Sequence, residues 1–134
     1  MIGTESKYEG AYFRHRTEVE VILAKLKSFG VTDYMLLSEH GMPMVSDVQN
    51  KGNIETHMET IAIMAATVYG EANTANSELR KIAPSYVRID SKDATSIIAK
   101  AGKRHFLLVS GTPDLESKIS DVMQIVKDVE SILD

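Results

Sequence analysis

Residues 54 to 81 read IETHMETIAIMAATVYGEANTANSELRK, about 28 residues without a proline and roughly twice the usual helix length. At about 100° per residue, Ile54, Met58, Ile61, Ala65, Val68, Ala72 and Leu79 fall within about 80° of one another, the stripe expected of a helix packed on a sheet. About 80 to 160° further round lies a second stripe, Ala62, Ala66, Gly70, Asn73 and Ser77, small at every position and continued at one end by Ile63. Gly70 costs a helix about 1 kcal/mol relative to Ala. Close approach of a second helix supplies a reason to tolerate it; a solvated flank is the plainer alternative.

Working back from this helix, Asn50, Gly52 and Asn53 break the chain, and before them DYMLLSE (33–39) and PMVSDV (43–48) flank a His-Gly corner. The first run is apolar on both faces, as a strand in the middle of a covered sheet is, so the pair reads as a hairpin. Upstream, TEVEVILAKLKSFG places Val19, Ile22, Leu23 and Leu26 on one helical face. Thr17 and Glu20 offer a capping box, and Gly30 a stop. Residues 1–16 form an arm or an extension of that helix.

Working forward, Pro84 is followed by SYVRID, ATSIIAKA and RHFLLVSG, separated by short turns at Ser91 to Asp93 and Gly102 to Lys103, which predicts an antiparallel meander. The chain closes on TPDLESKISDVMQIVKDVESILD, with Thr112 as a cap, Pro113 at the first helical position, and Leu115, Ile119, Val122, Val126, Val129 and Leu133 in a stripe. The order is α-β-β-α-β-β-β-α, an α+β domain over 17–134.

The 134 residues suit one domain with a sizeable core. A formal charge of -4 argues against a general phosphate-backbone binder, so nucleic acid is not expected. No cysteine is present, which removes thiolate chemistry and fits a reducing compartment. No run of about 18 apolar residues occurs, so membrane insertion is not expected and a soluble, cytoplasmic protein is.

Catalytic signatures are missing too. A P-loop would need Gly at position 97, where Ile97 stands, and Arg104 replaces its hydroxyl residue, so AGKRH reads as a hairpin turn. His15, His40, His57 and His105 have no metal-ligand spacing. His40 reads as a surface turn residue, with Glu39 expected on the opposite face of its strand. Glu55 and Glu59 sit one helical turn apart with no pocket implied. Seven methionines are more simply core filler than a binding groove. Neither an enzyme nor a cofactor is expected.

The layout resembles the roadblock / dynein light chain domain family, in its stand-alone prokaryotic form, over about residues 17 to 133. The resemblance rests on Gly30-Val31 before the first strand, the corner Gly41-Met42-Pro43-Met44 followed by Ser46, the Ala-rich long helix, and Val87-Arg88-Ile89 followed by Ile97-Ile98-Ala99. The chain departs from it at Thr112-Pro113-Asp114-Leu115, where the family often has a glycine, and the first 16 residues have no counterpart.

The resemblance implies a profilin-like, five-stranded antiparallel sheet with the long helix on one face and the terminal helices on the other. It also implies a homodimer in which long helices pack antiparallel and edge strands join, here SYVRID with Tyr86 and Arg88. Members act as scaffolds and regulators of small Ras-like GTPases, including a bacterial GTPase-activating partner, or as dynein-associated adaptors. On the long helix, Glu55, Glu59 and Arg80 flank the small stripe at opposite ends, so an antiparallel pair sets acid against base. Thr67, Glu71, Thr74 and Glu78 form a polar strip suited to a basic partner. Other readings are a longin-like or profilin-like adaptor, or a small-molecule sensor domain.

Overall fold

The structure is a computed structural model, described at residues 12, 14–48, 54–80 and 82–134, with the side chains of 54–57 and 80 excepted. Helix α1 (Arg16–Ala24) tightens into a 3-10 turn (Lys25–Phe29) and stops at Gly30, whose φ of 86° is the left-handed conformation that favours glycine. Strands β1 (Val31–Ser38) and β2 (Pro43–Asp47) form the hairpin, α2 (Ile54–Arg80) is the long helix, and β3 (Tyr86–Asp90), β4 (Thr95–Lys100) and β5 (His105–Gly111) are the meander. A 3-10 turn (Pro113–Lys118) leads into α3 (Ile119–Leu133).

All pairings are antiparallel, and the sheet order is β2-β1-β5-β4-β3, which leaves β2 and β3 as edges. Alternation along the strands divides the core into two layers. Val31, Tyr34, Leu36, Ile97, Ala99, Leu107 and Val109 face α1 and α3. Met35, Leu37, Ile98 and Phe106 face α2. This is the α+β layout expected, with the long helix, among the described residues, alone on its face.

Several local expectations differ. Thr17 is not a cap: α1 begins at Arg16 with His15 at the N-cap and no side-chain cap bond. Glu20 is instead held by Arg16 Nε at 3.0 Å, one helical turn back, and His15 Nδ1 lies 3.0 Å from Glu18. Tyr12, upstream of the helix, is buried in the core layer of α1 and α3, and desolvation raises its phenol pKa. At the other end Thr112 and Pro113 open the 3-10 turn rather than α3, and Thr112 makes no side-chain cap bond.

The buried face of α2 is also rotated from the one expected. Ala62, assigned to the small stripe, is fully buried against the sheet, and Tyr69 packs on Phe106 with ring centroids 5.0 Å apart. Leu79, assigned to the sheet-facing stripe, is 81% exposed, because the helix-side cluster extends no further along α2 than Tyr69. Tyr69 anchors the helix by donating to the Pro84 carbonyl at 2.6 Å.

At the hairpin corner Glu39 and His40 do not diverge as expected. Arg104 Nη1 lies 3.0 Å from Glu39 Oε1, and His40 Nε2 lies 3.5 Å from the same oxygen. Arg104 comes from the β4–β5 turn, whose carbonyl also accepts from the Glu39 amide, so the two turns are laced together. His40 itself is exposed. Of the methionines, Met44 and Met58 join the core layers, whereas Met42 and Met64 are exposed.

Candidate functional site

Once α2 has covered the middle of its sheet face, several apolar side chains on the helix and just past its end stay in solvent. Leu79, Ile82, Met64 and Ile63 are 81%, 67%, 60% and 56% exposed, and Ile89 and Tyr86 on the edge strand β3 are partly so. Scattered exposed apolar residues are ordinary; several on one helix and one edge strand make a candidate interaction surface. Strand β3 adds an edge that pairs with nothing among the described residues.

The residues singled out in the sequence divide between places. Ile63, Ala66, Gly70, Asn73 and Ser77 lie along the flank of α2, with Gly70 exposed and Ala66 half-buried against the core. A Cβ built on Gly70 meets nothing within 4 Å, so nothing inside one chain requires glycine there. Ala62 has no surface left to offer a partner. Glu59, Thr67, Glu71, Thr74 and Glu78 are exposed, although the Thr67 hydroxyl already donates to the Ile63 carbonyl at 2.8 Å. The side chains of Glu55 and Arg80 fall outside the described residues.

Tyr86 and Arg88 face the other side of the sheet, since Val87 between them packs into the layer under α2. Arg88 is engaged within the chain. Its Nε donates to Asp90 Oδ1 at 3.0 Å, and its Nη2 lies 3.3 Å from Glu116 Oε2 in the turn before α3. Thr95 also donates to Asp90 at 2.9 Å. The hydrogen bond from Arg88, with a smaller contribution from Thr95, holds the Asp90 carboxyl below its ordinary value. This network fixes the geometry of β3 from behind while its outer edge stays open.

Leu79, Met64, Ile82 and Ile89 are the members of this surface that sequence reasoning passed over or placed in the core. Their signal was spacing: Ile82 follows Leu79 by three residues beyond the helix, and Ile89 alternates with Val87. Among the described residues no helix is long and apolar enough to cross a membrane, and no three potential ligands gather as a metal site would need.

No family model matches the chain, and no curated protein is detectably similar to it. Solved structures share its fold. The gliding protein MglB from Thermus thermophilus superposes with a TM-score of 0.73 at 14% identity, over 92% of this chain and 90% of that one. An MglB described in a tetrameric arrangement gives 0.72 at 15% identity over the same shares. A Roadblock/LC7 domain from Streptomyces avermitilis gives 0.67 at 18% identity, over 78% of this chain and 86% of that one. The architecture is therefore that of Roadblock/LC7 domains.

Proposed function

We propose that this chain is a non-catalytic homodimeric scaffold that binds a small Ras-like GTPase and modulates its activity or its localisation. The observation that carries the reading is the unpaired outer edge of β3 together with the exposed apolar side chains of α2. A free strand edge invites pairing, and exposed apolar side chains on a helix invite a second helix; two copies related by a two-fold axis can satisfy both at once. Roadblock architecture and the MglB structures that share it support the same assignment. Ala66, Gly70, Asn73 and Ser77 form the seam, with Ile63 at one end. Pairing of β3 edges brings Tyr86 and Arg88 of two copies together. Antiparallel long helices then set Glu55 and Glu59 of one copy near Arg80 of the other.

The partner docks on the polar strip of Thr67, Glu71, Thr74 and Glu78, which each subunit contributes beside the seam. Two acidic side chains in each strip favour a basic patch on the GTPase. A pull-down with the GTPases of the source organism, each loaded with GDP or a GTP analogue, tests the function. One GTPase retained in a nucleotide-dependent manner is the expected result. Retention of none, by protein verified as dimeric, contradicts it.

A further inference from the structure

The sheet ends unevenly on the side of β3. Pairing between β3 and β4 begins at Tyr86 with Ala99, so beyond that pair the outer edge of β4, from Lys100 to Gly102, has no strand beside it among the described residues. Ala83, Pro84 and Ser85, on the way from α2 to β3, and the outer face of α3 leave a notch of about 310 Å³ around this edge. Tyr69, from the core layer under α2, and Met123 and Val126, from the layer of α1 and α3, meet there as an apolar floor. The Tyr69 hydroxyl is committed to the Pro84 carbonyl. The mouth is cationic. Lys100 from β4 and Lys127 from α3 both line it, both are exposed, and neither makes an ion pair among the described residues. The nearby acids are turned elsewhere: Glu130 Oε2 accepts from the Gly102 amide at 3.0 Å and Asp134 Oδ1 from the Lys103 amide at 3.3 Å, so both carboxylates cap the β4–β5 turn.

We propose that this notch docks an acidic segment of a partner protein, with an Asp or Glu carboxylate held by Lys100 and Lys127 and a neighbouring apolar side chain on the floor of Met123 and Val126. A carboxylate matches two ammonium groups that have no counter-charge among the described residues, and a cationic segment is repelled by them. A solvated ion pair alone contributes little, so the apolar floor supplies the area that makes the contact hold. The notch is open to solvent along Ala83, Ser85 and both lysines. A small carboxylate would stay largely hydrated there, whereas a protein segment brings its own backbone to cover the mouth. None of these lining residues belongs to the proposed seam or polar strip, so the site stands apart from the dimer and the GTPase.

The test titrates the full chain at low salt with N-acetyl-leucyl-glutamate methylamide and with its glutamine and lysine counterparts, followed by amide and methyl chemical shifts. The acidic peptide should give saturable shifts at Ser85, Lys100, Gly102 and the Val126 methyls, with the glutamine peptide about fivefold weaker or more and the lysine peptide weaker still. Raising salt to about 0.5 M should weaken the acidic peptide severalfold and leave the glutamine peptide unchanged. Lys100→Gln with Lys127→Gln, both at exposed positions, should remove the preference for acid over amide. If that variant lacks native dispersion, Lys127→Gln alone should reduce the preference severalfold. Equal binding of the glutamine peptide, no saturable shifts at the notch, or a preference unaltered in the variants would overturn the proposal. Hexanoate tests the source of the carboxylate, and its binding about tenfold more tightly than the acidic peptide would overturn the partner segment in favour of a small molecule.

Discussion

Gly70 carries two opposed expectations, depending on whether the flank of α2 is bare. In a lone chain the added methyl of Gly70→Ala meets nothing within 4 Å. The helix then gains about 1 kcal/mol, a rise of a few degrees in melting temperature. Across a close helix seam the same methyl holds two backbones apart. We expect both effects: a dilute sample that melts higher than wild type, and a dimer weakened about tenfold, a loss of about 1.4 kcal/mol. Sedimentation equilibrium of the two proteins decides the second, and an unchanged association constant removes position 70 from the interface. Asp90 gives a pH dependence. Its folded pKa lies below the ordinary 3.8, so its contribution is present above that value and is lost as pH falls through the lower, folded one. Wild type and Asp90→Asn should therefore differ in melting temperature at pH 7 and converge in strong acid. A gap that widens on acidification would show that Asp90 is not held by Arg88 and Thr95.

At the scale of elements, the glycines at Gly30 and Gly41 separate conformational strain from packing. Both have φ near +85°, but a Cβ on Gly30 meets nothing within 4 Å, whereas one on Gly41 comes 3.1 Å from Ile63 Cα and 3.0 Å from its Cγ1. Gly30→Ala should cost about 1 kcal/mol, from the left-handed backbone alone. Gly41→Ala should cost about 1 to 3 kcal/mol more, because the hairpin corner must lift from α2. Denaturant unfolding measures both, and equal losses would mean that the corner does not rest on the helix. These elements were legible because they announce themselves locally, through the glycine stops, the alternation in β4 and β5, and the uninterrupted helical run. What escaped is long-range. The start of α1 was misread because Arg16 claims the Glu20 carboxylate that a Thr17 capping box needs. The buried face of α2 was misread because a mean stripe cannot show that Tyr69 fills the sheet-facing position and that Leu79 overshoots the core. That Asp33, Ser110 and Ser96 lie side by side on β1, β5 and β4 was not legible, because register is set by pairing between distant strands.

At the scale of the whole molecule, the proposed seam and the proposed polar strip are separable by mutation. Glu71→Lys with Glu78→Lys reverses the charge of an exposed strip and should weaken capture of a demonstrated GTPase about tenfold or more, with the dimer intact. Unaltered capture would place the footprint elsewhere. The dimer itself is tested most directly by disulfide cross-linking, on a chain with no cysteine of its own. The two-fold, antiparallel arrangement predicts that Gly70→Cys cross-links to its own copy, and that Glu59→Cys in one chain cross-links to Arg80→Cys in another far more efficiently than either does to itself. Efficient coupling of Glu59→Cys to its own copy, or no coupling at any of the three positions, would contradict the proposed dimer.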